Sequence, residues 1–211
     1  MFIQNFPSGP FSTNAYLVAC STTLEAAIID PAPDSFSQID SLIVEKKLIP
    51  RYIWLTHSHW DHIADVKKIR NKYEIPVYVH SLDAPNLEIP GSDGLPCWIK
   101  IETVTPDFFL QEGMKLELGE LVFQVLETPG HSPGSVCFYE PKEAVLLSGD
   151  TLFQGSIGNL AFPTSQPERM WESLRRLSIL PVQTKVFPGH GPSTTIGVEL
   201  DMLKHAKEIF N

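Results

Sequence analysis

Cysteine is sparse in this 211-residue chain, and what there is does not pair. Cys20, Cys97 and Cys137 are odd in number, far apart and in no C-x-x-C arrangement. This argues against a disulfide framework and for a reducing compartment, with all three expected as small core residues. No apolar run approaches the length of a bilayer span. Met1 to Pro10 lacks the basic and apolar regions of a signal peptide, so a soluble, cytoplasmic protein without membrane partners is expected. Positive charge is also scarce: 16 Lys and Arg face 25 Asp and Glu, for a net charge of −9. A nucleic-acid partner would want clustered cations. The nearest approach to a cluster, Lys67-Lys68-Ile69-Arg70 with Lys72, reads as a solvated helix face. Repeats at solenoid spacing and low-complexity tracts are lacking.

What is present is an ordinary globular composition, 43% hydrophobic and 19% charged. The length suits one domain, or two intimately packed halves, with a core large enough to fold unaided. Each half repeats a rough plan of strands followed by alternating helices and strands. Ala15 to Asp30 predicts two strands around Ser21-Thr22-Thr23, Asp34 to Leu48 a helix, and Arg51 to Thr56 a short apolar strand. Asp61 to Asn71 predicts a helix with Ile63, Val66 and Ile69 on one face, and Pro76 to His80 another strand. Ser81 to Pro106, with four prolines and two glycines, predicts mostly loop that carries substrate contacts. In the second half, strands are expected at Lys115 to Leu118, Leu121 to Glu127, Ser135 to Tyr139, Ala144 to Ser148 and Thr184 to Phe187. Helices are expected at Gln166 to Leu177 and from about Ile196 to Phe210, the last with a core stripe of Leu200, Leu203, Ala206 and Phe210. The pattern suggests two sheets packed face to face with helices outside.

The seven histidines are unevenly placed. Three lie in His57-Ser58-His59-Trp60-Asp61-His62, directly after a predicted strand. Imidazole and carboxylate are the ligand types for zinc, iron or manganese. His57 and His59 follow the strand end, while Asp61 and His62 open the next helix. So tight a window can serve two metals about 3.5–4 Å apart. Further along, Pro129-Gly130-His131-Ser132-Pro133-Gly134 sets a histidine on a rigid turn. Alone, it serves equally well as a hydrogen-bonded turn residue. Asp150 follows an apolar strand through Gly149, where a carboxylate is unfavourable unless paired or metal-bound, although a turn acid is the plain alternative. Pro188-Gly189-His190-Gly191-Pro192 repeats the glycine-flanked histidine.

The ordered set His-x-His-x-Asp-His, Gly-His, Gly-Asp and Gly-His-Gly resembles the ligand series of the metallo-β-lactamase superfamily. The resemblance runs from Asn14-Ala15-Tyr16 and Asp30-Pro31 to Thr194-Thr195-Ile196-Gly197 and Glu199. Gly149-Asp150-Thr151-Leu152-Phe153 and Phe187-Pro188-Gly189-His190-Gly191 look similar to the glyoxalase II-like branch. The resemblance implies an αββα sandwich, α/β in class, as a single domain over 1–211. It also implies two divalent metal ions, zinc first, with iron and manganese as alternatives. His57, His59 and His131 would hold one metal and Asp61, His62 and His190 the other, with Asp150 between them. A hydroxide bridging the metals would attack the acyl carbonyl of a small thioester or related acyl substrate, hydroxyacylglutathione included. Asp61 would also act catalytically by orienting that hydroxide and taking its proton.

Departures matter too. After Gly155-Ser156-Ile157-Gly158 the related branch carries Arg and then Thr-Asp, whereas this chain has Asn159-Leu160-Ala161. The helical C-terminal domain that holds glutathione in full-length glyoxalase II is expected to be lacking. Both features put glutathione recognition in question. The alternatives are a mononuclear iron persulfide dioxygenase using His57, His131 and Asp150, and a non-catalytic binding protein on the same fold. The first normally shows a Cys after Gly-Asp and an Arg-Thr-Asp, neither present here. The second normally shows broken ligand sets, whereas all seven positions are filled. A true β-lactamase would carry an export signal. His80 and His205 are expected to be structural or solvent-facing, and Trp60 either walls the pocket or packs.

Overall fold

The computed structural model describes residues 1–210. The first half builds one sheet in sequence order from β1 (Phe2–Ser8), β2 (Thr13–Ala19), β3 (Glu25–Ile29), β4 (Ile49–Trp54), β5 (Val77–His80) and β6 (Phe108–Leu110). The second half builds another from β7 (Lys115–Leu118), β8 (Leu121–Glu127), β9 (Val136–Glu140), β10 (Val145–Gly149), β11 (Lys185–Pro188) and β12 (Thr194–Thr195), again in order. Helices α1 (Phe36–Lys46), α2 (Trp60–Ile63), α3 (Val66–Tyr73) and α4 (Ala84–Glu88) belong to the first half, and α5 (Pro167–Leu177) and α6 (Ile196–Phe210) to the second.

The layering follows from side-chain alternation along strands buried on both faces. In β2, Ala15, Leu17 and Ala19 face a core shared with Ile39, Ile43, Val66 and Ile69 of α1 and α3. Tyr16 and Val18, one residue out of phase, face the second sheet and meet Phe123, Val125 and Phe138. The second sheet divides the same way: Cys137, Tyr139, Leu146 and Val186 pack under Met170, Leu174, Ile196 and Leu203 of α5 and α6. Three apolar layers between four structural layers make the mixed α/β two-sheet sandwich. Trp54 joins the sheets, its ring 5.3 Å from Phe123 and 5.5 Å from Phe138.

Strands β3 to β6 run parallel, as do β10 and β11. Open parallel sheets present their ligand-binding residues beyond the carboxyl ends of the strands. Both sheets turn such ends toward one edge of the sandwich, and the histidine-bearing loops lie there.

Several sequence expectations need correction. The helix expected over Asp61 to Asn71 is two helices, broken at Ala64-Asp65. The Asp65 amide donates to Pro31 O, outside the helix, and its carboxylate accepts from the Phe36 amide at the start of α1. That tertiary demand outweighs helical continuity. The segment Ser81 to Pro106 is mostly loop, as expected, with only the short α4 inside it. Cys97 is not a core residue but half-exposed, its thiol donating to Ile99 O, whereas Cys20 and Cys137 are buried as expected. Phe210 is exposed and Leu200 only half-buried, so the stripe of α6 runs through Ile196, Leu203 and Ala206. Among the described residues, no helix is long and apolar enough to cross a membrane.

Candidate metal centre

Strand β4 ends at Trp54, and beyond Leu55-Thr56 the chain leaves the sheet. His57, His59, Asp61 and His62 therefore turn into the edge of the sandwich, the last two on the single turn α2. From the other sheet come His131 in the β8–β9 turn, Asp150 after β10 and His190 after β11. Six of the seven are buried, and His190 is half-buried. The donor atoms of His57, His59 and His131 lie within 4.8 Å of one another, as do those of Asp61, His62 and His190. Asp150 reaches both groups: Oδ2 is 3.4 Å from His131 Nε2 and from His190 Nε2, and Oδ1 is 3.4 Å from His62 Nε2. The seven residues singled out from sequence thus converge.

Most imidazoles are held from behind by an acceptor on one nitrogen. His57 Nδ1 contacts Thr56 Oγ1 at 3.0 Å, His62 Nδ1 contacts Asp30 Oδ2 at 3.1 Å, His131 Nδ1 contacts Asn159 O at 2.9 Å, and His190 Nδ1 contacts Phe11 O at 3.1 Å. An outer acceptor fixes the tautomer and leaves the inner nitrogen with its lone pair, as metal-ligating histidines require. Accordingly, His57 Nε2, His62 Nε2 and Asp150 Oδ1 are buried with no hydrogen-bond partner. His59 is reversed, with Nδ1 only 2.8 Å from His131 Nε2. Unpartnered buried donors and acceptors are unfavourable by about 1–3 kcal/mol each, and a shared cation relieves them. The residues fit divalent metal ions.

The electrostatics agree. Burial, reinforced by neighbouring imidazoles, drives His57 well below its ordinary range, and burial with the His131 neighbour takes His59 to about 3. Both are neutral and ready to donate lone pairs. Burial would raise Asp61, but His62 with hydrogen bonds from His190 and Thr13 holds it at about 2. Asp150 is likewise lowered, against burial, by His62 and His190. Burial opposes charge on His62 and His190, yet Asp61 and Asp150 outweigh it, raising His62 and bringing His190 to about 9. Cations entering the site would displace these protons.

Several supporting residues carried no role in the sequence reading. Asp30, with φ 47° at the end of β3, accepts from the Thr56 amide and hydroxyl as well as approaching His62. Its donor atoms group with His57 and His62, but both its oxygens are already engaged, so it acts as the acceptor behind them. Thr13 donates to Asp61 Oδ2 at 2.6 Å. Asn14 donates to Pro188 O and Gly191 O, and Tyr16 to Pro188 O, clamping the His190 turn. Gly189 is required by close approach: a Cβ there would overlap Asp150 Oδ1 and crowd His62. Asp83, inside the segment expected to be mostly loop, accepts from the Ser58 and Gly134 amides and from the Ser132 hydroxyl. It ties the His57–His62 window to the His131 turn. Only the strand-end position of Asp30 was a usable signal; the others are set by tertiary contact.

His80 contacts Glu127 at 3.2 Å, and His205 faces solvent, contacting the Asp201 carbonyl. Trp60 fills both of its expected roles, being buried and lining the pocket above the cluster.

A family model described as "Metallo-beta-lactamase superfamily" matches residues 8–190. The hydroxyacylglutathione hydrolase GloC of Haemophilus influenzae is 33% identical, over 94% of this chain and 95% of its own length. The solved structure of the BLEG-1 B3 metallo-beta-lactamase is 40% identical with a TM-score of 0.87, covering 95% of this chain and 97% of that one. TTHA1623 in a di-iron-bound form is 42% identical with a TM-score of 0.81, covering 93% and 96%. The chain belongs to the metallo-beta-lactamase superfamily.

Proposed function

We propose that this chain is a binuclear metal-dependent hydrolase of small thioesters. The observation that carries the reading is the Asp150 carboxylate, whose two oxygens lie 3.4 Å from donor atoms of both three-residue groups. One site is His57, His59 and His131, the other Asp61, His62 and His190, with Asp150 shared. Bound cations would acidify a water and polarise the substrate carbonyl. The protein's part is to hold imidazoles and ionised carboxylates in fixed directions through Asp30, Thr56, Asn159 O and Phe11 O. Asp61, with acidity near 2 and one oxygen engaged by Thr13, suits orienting a water better than taking its proton. The imidazole and carboxylate set accepts zinc and iron alike, and the di-iron form of TTHA1623 supports iron.

Thioester chemistry is supported by the likeness to GloC. Glutathione dependence should be weak, because Asn159 stands where the related branch carries a cation. The β-lactamase relative supports a second reading, β-lactam hydrolysis on the same centre. Elemental analysis should give two metals per chain. A panel of thioester, lactone, β-lactam and persulfide substrates should show thioester turnover above the rest. One metal after reconstitution with excess zinc and iron would sink the binuclear reading. Oxygen uptake with a persulfide and no thioester turnover would replace it with the dioxygenase.

A further inference from the structure

The cleft above the metal cluster has a volume of about 430 Å³. Its floor is formed by candidate ligands, His59, Asp61, His131, Asp150 and His190. The remaining lining is Phe11, Trp60, Leu95, Phe153, Asn159 and Phe162. Five of those six are apolar, and the sixth, Asn159, has its Oδ1 engaged by the Ala161 amide, which leaves its uncharged Nδ2 as the polar donor of the wall. Among the described residues, no lysine or arginine lines the cleft.

The aromatic rings are arranged, not scattered. Phe11, Trp60 and Trp98 form a triangle with centroid separations of 5.3, 5.4 and 5.9 Å. Phe11 is 46% and Trp98 66% exposed. Phe162 meets His59 and His131 edge-on at 5.3 and 5.5 Å, and Phe153 meets His190 at 5.9 Å. Rings from separate segments therefore flank both donor groups. Single exposed apolar residues need no explanation, but a contiguous set around a polar centre marks a binding surface.

We propose that the site selects esters and thioesters of uncharged, apolar acids, with the acyl chain held by Phe11, Trp60, Leu95 and Phe162 of the cleft lining and the wall extended outward by Trp98, which packs on Phe11 and Trp60. This rests on the hydrolase reading above. A site built for a carboxylated or phosphorylated substrate would present Arg or Lys at its wall. Here the wall offers no cation, and the net charge of −9 disfavours the approach of anions. Burial of apolar surface is the force this wall can supply, at about 0.8 kcal/mol per methylene, or roughly fourfold.

The test uses metal-loaded protein and N-acetylcysteamine thioesters running from acetyl to hexanoyl, with the adipoyl thioester as a hexanoyl analogue ending in a carboxylate. The expected result is a rise in kcat/KM of about fourfold per methylene, with adipoyl at least about tenfold below hexanoyl. Trp98→Ala should flatten the series and Trp98→Phe should keep it. A flat series, or adipoyl equal to hexanoyl, overturns the inference while leaving the hydrolase reading intact. Tryptophan fluorescence titrations with acetate, butyrate, hexanoate and adipate test the same wall without turnover. Tightening with length for the monocarboxylates alone supports the inference, and no tightening overturns it. If no thioester is cleaved, the hydrolase reading falls, and these titrations still decide whether the wall selects apolar acids.

Discussion

After β4, four candidate ligands fall within the six residues His57 to His62, whereas the second sheet supplies three from three separate strand ends, at His131, Asp150 and His190. The first set is fixed by one strand end and one helical turn. The second depends on β8, β9, β10 and β11 each being in register. The same sandwich thus solves one problem twice, once by local sequence and once by sheet geometry. The contiguous set is robust to movement between the sheets. The scattered set measures whether the sheets are docked correctly, and Asp150 is its most sensitive member because it touches both donor groups.

The comparison can be broken most severely at Asp150. Asp150→Ala should lower kcat/KM by about a thousandfold, near 4 kcal/mol, and reduce bound metal below two per chain. Retention of both metals and most of the activity would show that the scattered set is not the one that joins the sites.

A smaller effect is expected behind the contiguous set. Asp30→Asn removes an acceptor shared by Thr56 and His62 and should weaken metal affinity by about 10- to 100-fold. Competition against a chelator of known affinity measures it. Unchanged affinity would mean the window holds itself.

Asp83 sharpens the comparison, since it links the window to the His131 turn. Asn has an NH2 where Asp83 presents an oxygen to donors, so Asp83→Asn should be destabilising by about 1–3 kcal/mol. Burial raises the Asp83 pKa despite the hydrogen bonds it accepts from Ser132, Ser58 and Gly134. A raised folded-state value means that its contribution is full below the unfolded value near 3.8 and declines as pH rises through the folded value. Asn does not titrate. The difference in Tm between wild type and variant should therefore be greatest below about pH 4 and shrink toward neutrality. A difference that grows with pH would mean that the buried carboxylate is stabilised by its donors more than burial opposes it. At the bottom of the scale, His205→Ala should leave activity unchanged and stability within about 0.5 kcal/mol, by kinetics and thermal melting.

How much of this was legible in the sequence follows the same division. The window His57 to His62 was legible because its residues are neighbours, and the strands β2, β3, β4 and β7 to β10 because they are apolar and bounded by turns. His131, Asp150 and His190 each had a plain alternative, and only their order together pointed to a common centre. Strands β1, β6 and β12 left no readable pattern. The first is an edge strand with no regular alternation, two half-buried residues followed by two exposed ones before buried Phe6, and contains Pro7, and the other two span only three and two residues, too little for periodicity to register. The break in the helix after α2 was invisible because its cause, the pull of Asp65 on Pro31 and Phe36, lies in a different part of the chain. Asp83 was hidden for the same reason: its partners are 25 to 51 residues away.

The clamp on the His190 turn has a kinetic consequence. Asn14 and Pro188 are 174 positions apart in the chain, so the bond between them closes a loop of nearly the whole molecule. Closing so long a loop comes late when local contacts form first, and topologies dominated by such pairings fold slowly. During synthesis, the window at His57 emerges long before the partners that complete it. A nascent chain therefore displays imidazoles that can capture a cation before the rest of the cluster is assembled, and the seven residues converge only once β11 has docked beside β10 and under β2.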